Sequence, residues 1–349
     1  MNDIGEILET ARRAAGLTQE ELARRAQITQ AALSRYENGW REPEPDVLQN
    51  LAAALAVTES FLLDSGRAHG AMAVDAHMRR RQTARPTVWR RLEAQLNMHR
   101  FHARHLFEEV SVHADQTIPQ FDPIAVQPAA AARMVRMQWK IPVGPVRSLM
   151  RWLEAAGCLV IEDDLATTRV DGLSQWIGEH PIILINSAVP NDRKRLTLAH
   201  ELGHLCLHSQ EVTDSIEHEA TEFAAEFLTP AEVIKPQLRN LTMGRLHDLK
   251  RQGGVSMQMI VERAYSLGVI TTGQRTNLYK MFSRKGWRIQ EPVSEEIPPE
   301  EPVLTYHIGS VLLSKGLTED EIARLAGYRN ADRPHPFQPP TRRLRAVKD

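Results

Sequence analysis

The sequence predicts a multidomain, mainly α protein, with an all-α bundle at the N-terminus and an α+β domain built on a small antiparallel sheet. Three observations lead there. Residues 4–63 break into short helical periods separated by capping and turn residues. Residues 158–186 hold three short apolar runs spaced by Gly and Asp clusters, the pattern of strands. Residues 196–208 read as one helix that is apolar on nearly all sides yet carries three histidines and a glutamate, so it is buried for a chemical reason. With 349 residues and 42% hydrophobic content, the chain has enough material for two or three separate cores.

Composition narrows the setting. A net charge of −1 points to no particular class of partner. Two cysteines, Cys158 and Cys206, each in an apolar segment, are too few for a disulfide framework and read as buried thiols in a reducing compartment. The N-terminus has neither a basic nor an apolar leader region, and no apolar run is long enough to span a bilayer. The expected location is the cytoplasm, with no membrane partner.

In chain order, helices are expected over Ile4–Ala15, Thr18–Ala26, Thr29–Glu37, Pro45–Leu55 and Glu59–Leu63, with Thr18 and Glu21 forming a capping box. The stretch from Gly16 to Gly39 resembles the helix-turn-helix of the XRE/phage-repressor family. That resemblance implies a DNA-binding domain over residues 1–63, with an operator in double-stranded DNA as partner and a homodimer as the binding species. Gln19 would hold a phosphate and Gln30 a base edge, with Thr29, Gln30, Ala31 and Ser34 along the major groove and Arg35 near the backbone. Charge argues the other way, since this segment holds six Arg or Lys against ten Asp or Glu, and non-specific DNA affinity comes from neutralised phosphates. A helical bundle of this pattern could also serve as a protein-binding module.

Residues 64–127 read as a basic helical linker. Gly66–Gly70 is a flexible stretch, and between Asp64 and His105 nine Arg face three acidic residues. An amphipathic helix over Val88–Val110 carries Arg90, Arg91, Arg100 and Arg104, which could contact phosphate, support a dimer or form a solvated face. The histidines His69, His77, His99, His102 and His105 have no zinc-site spacing and read as surface or packing residues.

The second domain is expected over 128–290. Two helices, near Ala129–Trp139 and Val146–Ala156, precede strands at Cys158–Glu162, Leu173–Ile177 and Ile182–Asn186. The helix over 196–208 contains His200-Glu201-Leu-Gly-His204, an H-E-x-x-H arrangement. At 100° per residue His200 and His204 share a side and Glu201 lies on the flank, while Leu198, Leu202 and Leu205 form the opposite stripe. Two imidazoles so placed can share a zinc ion, and the carboxylate between them can take a proton from a water at the metal's open position. A catalytic zinc needs a third ligand. On the next helix, Ile216–Phe227, only Glu217 of four glutamates falls on the apolar face, which makes it the third ligand; Glu219, Glu222 and Glu226 are expected on a solvated face. His208 extends the histidine side by one turn, as an outer partner, an alternative ligand or a surface residue.

Together, Pro181–Asn186, the HELGHLCLH run, Glu217–Pro230, Val255–Gly268, Lys285–Arg288 and Glu291-Pro292 resemble the ImmA/IrrE family of zinc metallopeptidases. The resemblance covers roughly residues 140–292 and implies a zincin-like fold with a Zn2+ cofactor, His200, His204 and Glu217 as ligands and Glu201 as general base. Thr221 departs from the Asn or Asp usual there. After the acidic, Pro-rich stretch 291–302, expected as an unpacked linker, residues 303–332 form a helix pair whose Leu317–Ala326 echoes the second helix of the first domain. Residues 333–349 are expected to be disordered. The expected function is a transcriptional regulator whose zinc endopeptidase cleaves a repressor or antitoxin; the alternative is a non-proteolytic regulator that sequesters a toxin partner, with the zinc fold as a sensor.

Overall fold

The computed structural model describes residues 4–63, 86–110, 113–177, 180–209, 213, 215–332 and 334–338. The expected linker stretch Gly66–Gly70, His69, His77 and most of the tail 333–349 expected to be disordered lie outside them. The chain forms two compact units. As expected, it is mainly helical with one small sheet, and among the described residues no helix is long and apolar enough to cross a membrane.

The first unit starts with α1 (Ile4–Ala14), α2 (Gln19–Arg25), α3 (Gln30–Glu37), α4 (Pro45–Leu55) and α5 (Glu59–Leu63). Thr18 caps α2 in a full capping box with Glu21, and Thr29 caps α3 by accepting from the Ala32 amide, so each of these two helices has a first-turn N–H answered by its cap. Leu8, Leu22, Leu33, Leu51 and Leu62 are fully buried at the centre of the bundle.

The helix expected in the linker, α6 (Pro86–Phe107), packs along α1. It is no free basic face: Arg100 is buried, Arg91 lies half-buried with its guanidinium against Gly16, and Arg104 reaches Glu108 at 3.6 Å. Only Arg90 of the four arginines is exposed.

The C-terminal helices, α15 (Leu304–Ser314) and α16 (Glu319–Leu325), belong to this unit as well. Backbone bonds run from the Thr58 amide to Gly327 O (2.9 Å) and from the Arg329 amide to Ala56 O (3.1 Å). Beside this seam the His102 ring lies between Phe61 (centroids 4.5 Å apart) and Tyr328 (3.9 Å), with its Nδ1 2.7 Å from Ala326 O.

The second unit, Ala114–Pro302, holds α7 (Pro128–Gln138), α8 (Leu149–Ala155), β1 (Leu159–Asp163), β2 (Gly172–Ile177), β3 (His180–Asn186), α9 (Asn191–Leu207) and α10 (Ile216–Leu228). Four further helices follow: α11 (Ala231–Ile234), α12 (Met243–Gly253), α13 (Met257–Ser266) and α14 (Thr272–Arg284). The sheet corrects one expectation. Its order is β1-β3-β2, with β2 antiparallel and β1 parallel to β3, so it is mixed rather than antiparallel. A short connection forces β2 and β3 into a hairpin, whereas the longer stretch 164–171 lets β1 take the far side of β3 in the same direction. The central strand is buried from Pro181 to Asn186, which explains its continuous apolar run.

The stretch 291–302 is a second correction. Far from staying unpacked, Glu291, Ser294, Ile297 and Glu300 are buried. Glu291 accepts from the amides of Met257 and Gln258, and Glu300 from those of Leu149 and Met150, so these carboxylates cap α13 and α8.

Burial drives the His102 pKa down to about 3 from its ordinary 6.5, so the folded ring stays neutral. Below pH 6.5 the unfolded chain takes up a proton that the folded state refuses, and stability should fall as pH drops from about 6.5 towards 3. By pH 5 this one group costs about 2 kcal/mol. Melting temperatures at pH 7.5 and 5.0 should therefore converge in His102→Phe, which keeps the ring stack without a titrating group; an unchanged difference would clear His102 of the effect.

Candidate metal centre and nucleic-acid interface

Helix α9 is buried along most of its length, including Asp192, Lys194, Arg195, Thr197, Glu201 and His204. Its N-terminal half is held by charge. Lys250, fully buried, places Nζ 2.6 Å from Asp192, 2.8 Å from Glu291 and 2.9 Å from the Ser294 hydroxyl, while Arg195 pairs with Glu300 and donates to Gly254 O. Helix α10 crosses close by at Gly203. A Cβ there would stand 3.2 Å from both the Cα and the O of Ala220 and 3.2 Å from Phe223 Cβ, so glycine lets the two helices touch by backbone.

That approach brings the predicted residues together. His200 Nε2 and His204 Nε2 are 3.1 Å apart, and the Glu217 carboxylate lies 3.4 Å from the first and 3.5 Å from the second. All three ligand atoms lie within 4.8 Å of one another. Donors around a tetrahedral zinc, with bonds of ~2.0–2.1 Å, stand roughly 3.3 Å apart, so this donor set fits that ion in chemistry and in spacing.

Glu201 is buried rather than merely flanking. Its Oε2 accepts from Ser174 Oγ at 2.8 Å, on β2, the strand that runs beside α9. Trp176 on the same strand donates to Leu205 O at 3.1 Å, and a Cβ at Gly172 would meet Thr197 at 2.6 Å.

Behind the histidines lies a layer of residues in which His208 takes the outer-partner position, one of the three readings the sequence left open, while Glu219 and Thr213 were missed. His208 is 1% exposed; its Nδ1 lies 3.0 Å from His204 Nδ1 and its Nε2 2.8 Å from Glu219 Oε2. Burial holds its pKa below the ordinary value, partly offset by Glu219. The Thr213 hydroxyl donates to Glu219 at 2.8 Å. Thr221 donates to Glu217 O at 2.7 Å and lies 3.4 Å from His200 Nδ1. The solvated face expected for Glu219 and Glu226 is corrected here, because Glu219 holds His208 and Glu226 is buried against Arg263 and Arg133. A helical wheel sorts directions around an axis; it does not show that a first-turn carboxylate can reach along the axis to the end of a neighbouring helix.

On the N-terminal bundle, Thr29, Gln30, Ala31 and Arg35 are exposed, with Gln19 and Ser34 half-buried. Gln30 donates to Gln19 Oε1 at 2.7 Å, Gln19 donates to Glu37 at 2.7 Å, and Arg12 clasps Glu37 through both carboxylate oxygens. The start of α3 is thus braced on α2 and its end on both α2 and α1. The Thr29 hydroxyl is engaged as the cap of α3.

Comparison with known proteins agrees with both halves. Residues 8–62 match the helix-turn-helix family profile, and residues 153–265 match that of the IrrE N-terminal-like domain, peptidase family M78. The chain therefore carries an XRE-type helix-turn-helix domain followed by an IrrE/ImmA-like peptidase domain. Over 60 residues it is 38% identical to the HTH-type transcriptional regulator ImmR of Bacillus subtilis (strain 168), an overlap of 17% of this chain and 47% of that protein. The chain thus spans about half the length of this relative.

The two kinds of residue on α10 differ measurably. Glu226→Ala leaves Arg263 buried without its partner and should cost about 3–5 kcal/mol in urea unfolding. Exposed His218 on the same helix should change stability by no more than about 0.5 kcal/mol on replacement by Ala; equal costs would contradict the buried pair.

Proposed function

We propose that this chain is a DNA-binding transcriptional regulator with a zinc-dependent endopeptidase activity directed at a protein partner, a repressor or an antitoxin. The convergence of His200, His204 and Glu217, with Glu201 buried beside them, carries the catalytic half of this reading. The helix-turn-helix match and the similarity to a transcriptional regulator of Bacillus support the regulatory half.

His200, His204 and Glu217 would hold the ion. Zinc bound there supplies Lewis acidity, polarising a peptide carbonyl and lowering the pKa of water toward ~7. Glu201 takes the proton as the water oxygen bonds to the carbonyl carbon, and returns it to the amine nitrogen as the C–N bond breaks. Ser174 fixes one oxygen of that carboxylate, so the base is aimed before substrate arrives. Strand β2 stands at an edge of the sheet, where an extended peptide would add as a further strand along the site.

Replacing Glu201 separates catalysis from binding. Full-length protein should carry about one zinc per chain, and Glu201→Gln should retain it while cutting a proteome-derived peptide library ~10²–10⁴-fold more slowly, as read by mass spectrometry. Parent-like cleavage by the variant would remove Glu201 as base. No cleavage by the zinc-loaded parent would favour a partner-sequestering regulator.

For the bundle, Gln30→Ala should erase discrimination between operator and random duplex, whereas Arg35→Ala should weaken binding to both by a similar factor. Unchanged discrimination in Gln30→Ala would take α3 out of the groove.

A further inference from the structure

We infer that His208 is a positioning residue that sets the tautomer of His204, through a one-way relay of hydrogen bonds ending on Glu219. This inference rests on the proposal that His204 Nε2 is a metal ligand. Neutral imidazole has one donor nitrogen and one acceptor, and which is which depends on the partner of each. At the far end, Glu219 accepts from the Thr213 hydroxyl and faces His208 Nε2 at 2.8 Å. A carboxylate can only accept, so His208 Nε2 carries the proton and His208 Nδ1 presents a lone pair. That lone pair meets His204 Nδ1 at 3.0 Å, so His204 Nδ1 carries the proton in its turn. Its Nε2 is left as a lone pair, turned towards His200 Nε2 and Glu217.

The relay sets the His208 imidazole between His204 and Glu219, where a carboxylate would often stand directly behind a metal-binding histidine. Its placement follows from the helix. His204 and His208 are one turn apart, His208 stands at the C-terminal cap of α9, and Glu219 approaches from the first turn of α10. His208 is 1% exposed, so no bulk water competes for the Nδ1–Nδ1 contact. Nothing in the arrangement needs His208 to touch the ion or the substrate.

The test uses full-length protein stripped of metal and titrated with Zn2+ against a chromophoric chelator. His208→Leu removes the acceptor; His208→Asn keeps an oxygen near the position of Nδ1. His208→Leu should weaken zinc binding by about 10–100-fold, with His208→Asn recovering most of it. Nitrogen-15 spectra of the histidine-labelled apoprotein should place the His204 proton on Nδ1 in the parent and in His208→Asn, and distribute it over both nitrogens in His208→Leu. Zinc affinity in His208→Leu within twofold of the parent, alongside loss of zinc in His204→Ala, would overturn the relay and leave the ligand assignment standing. Parental affinity in His204→Ala would overturn the ligand assignment itself. If both His208 variants lower affinity and apoprotein melting temperature together, with the His204 tautomer unmoved, His208 is only a packing residue.

Discussion

The candidate metal centre depends on how closely α10 can lie against α9. Gly203, between Leu202 and His204, lets the Ala220 backbone approach to a distance that any side chain would resist. Because Glu217 lies one turn before that contact and His204 one residue beyond it, the touching point fixes the separation between carboxylate and imidazoles. A wider crossing would leave both histidines in place and carry Glu217 out of reach, so the donor set is a property of helix packing as much as of the motif.

Closeness at one point requires that α9 not slide or rotate, and buried charge supplies the restraint. Lys250 joins Asp192 in the first turn of α9 to Glu291, and Arg195, one turn further on, meets Glu300. Buried ion pairs are poor sources of net stability because desolvation offsets their attraction, yet breaking one strands a charge, so they tolerate a single geometry. The helix carrying the histidines is therefore indexed by residues as far as 105 positions later in the chain. The composition of the acidic, Pro-rich stretch follows from that restraint, since Glu291 and Glu300 cap α13 and α8.

Elements with a strong period were legible in the sequence. The five helices of the bundle, the buried α9 and the apolar face of α10 all follow from spacing and caps, and the four-residue spacing of His200 and His204 puts their rings side by side. What the sequence hid depends on partners distant in the chain. Strand direction in a three-strand sheet is decided by which edge of β3 the first strand takes, and residues 158–163 read the same either way. Glu219 and Glu226 look like any solvated helix glutamate until His208 and Arg263 are placed against them. The charge of 291–302 suggested solvent because the sequence alone does not pair an acid with a buried lysine or a helix end.

The first unit poses a different problem, since it is assembled from both ends of the chain with residues 114–302 lying between them in sequence. Closing so long a loop is less prohibitive than its length suggests, because each doubling adds only about 0.6 kcal/mol. The seam must still hold α15 and α16 in place, and it does so within a few residues. Ala56, in the left-handed conformation at φ 60°, ends α4 and turns the chain so that residues 56–58 offer backbone groups to residues 327–329. Gly327 has to be glycine: at φ 88° any Cβ would lie 2.2 Å from the Phe61 ring. The same Phe61 stacks on His102, which stacks on Tyr328, so one aromatic layer links α5, α6 and the end of α16. A charged imidazole could not occupy the middle of that layer without a counter-ion, and its Nδ1 is committed to a backbone carbonyl. The neutral state of His102 is thus the condition on which the two ends of the chain share one core.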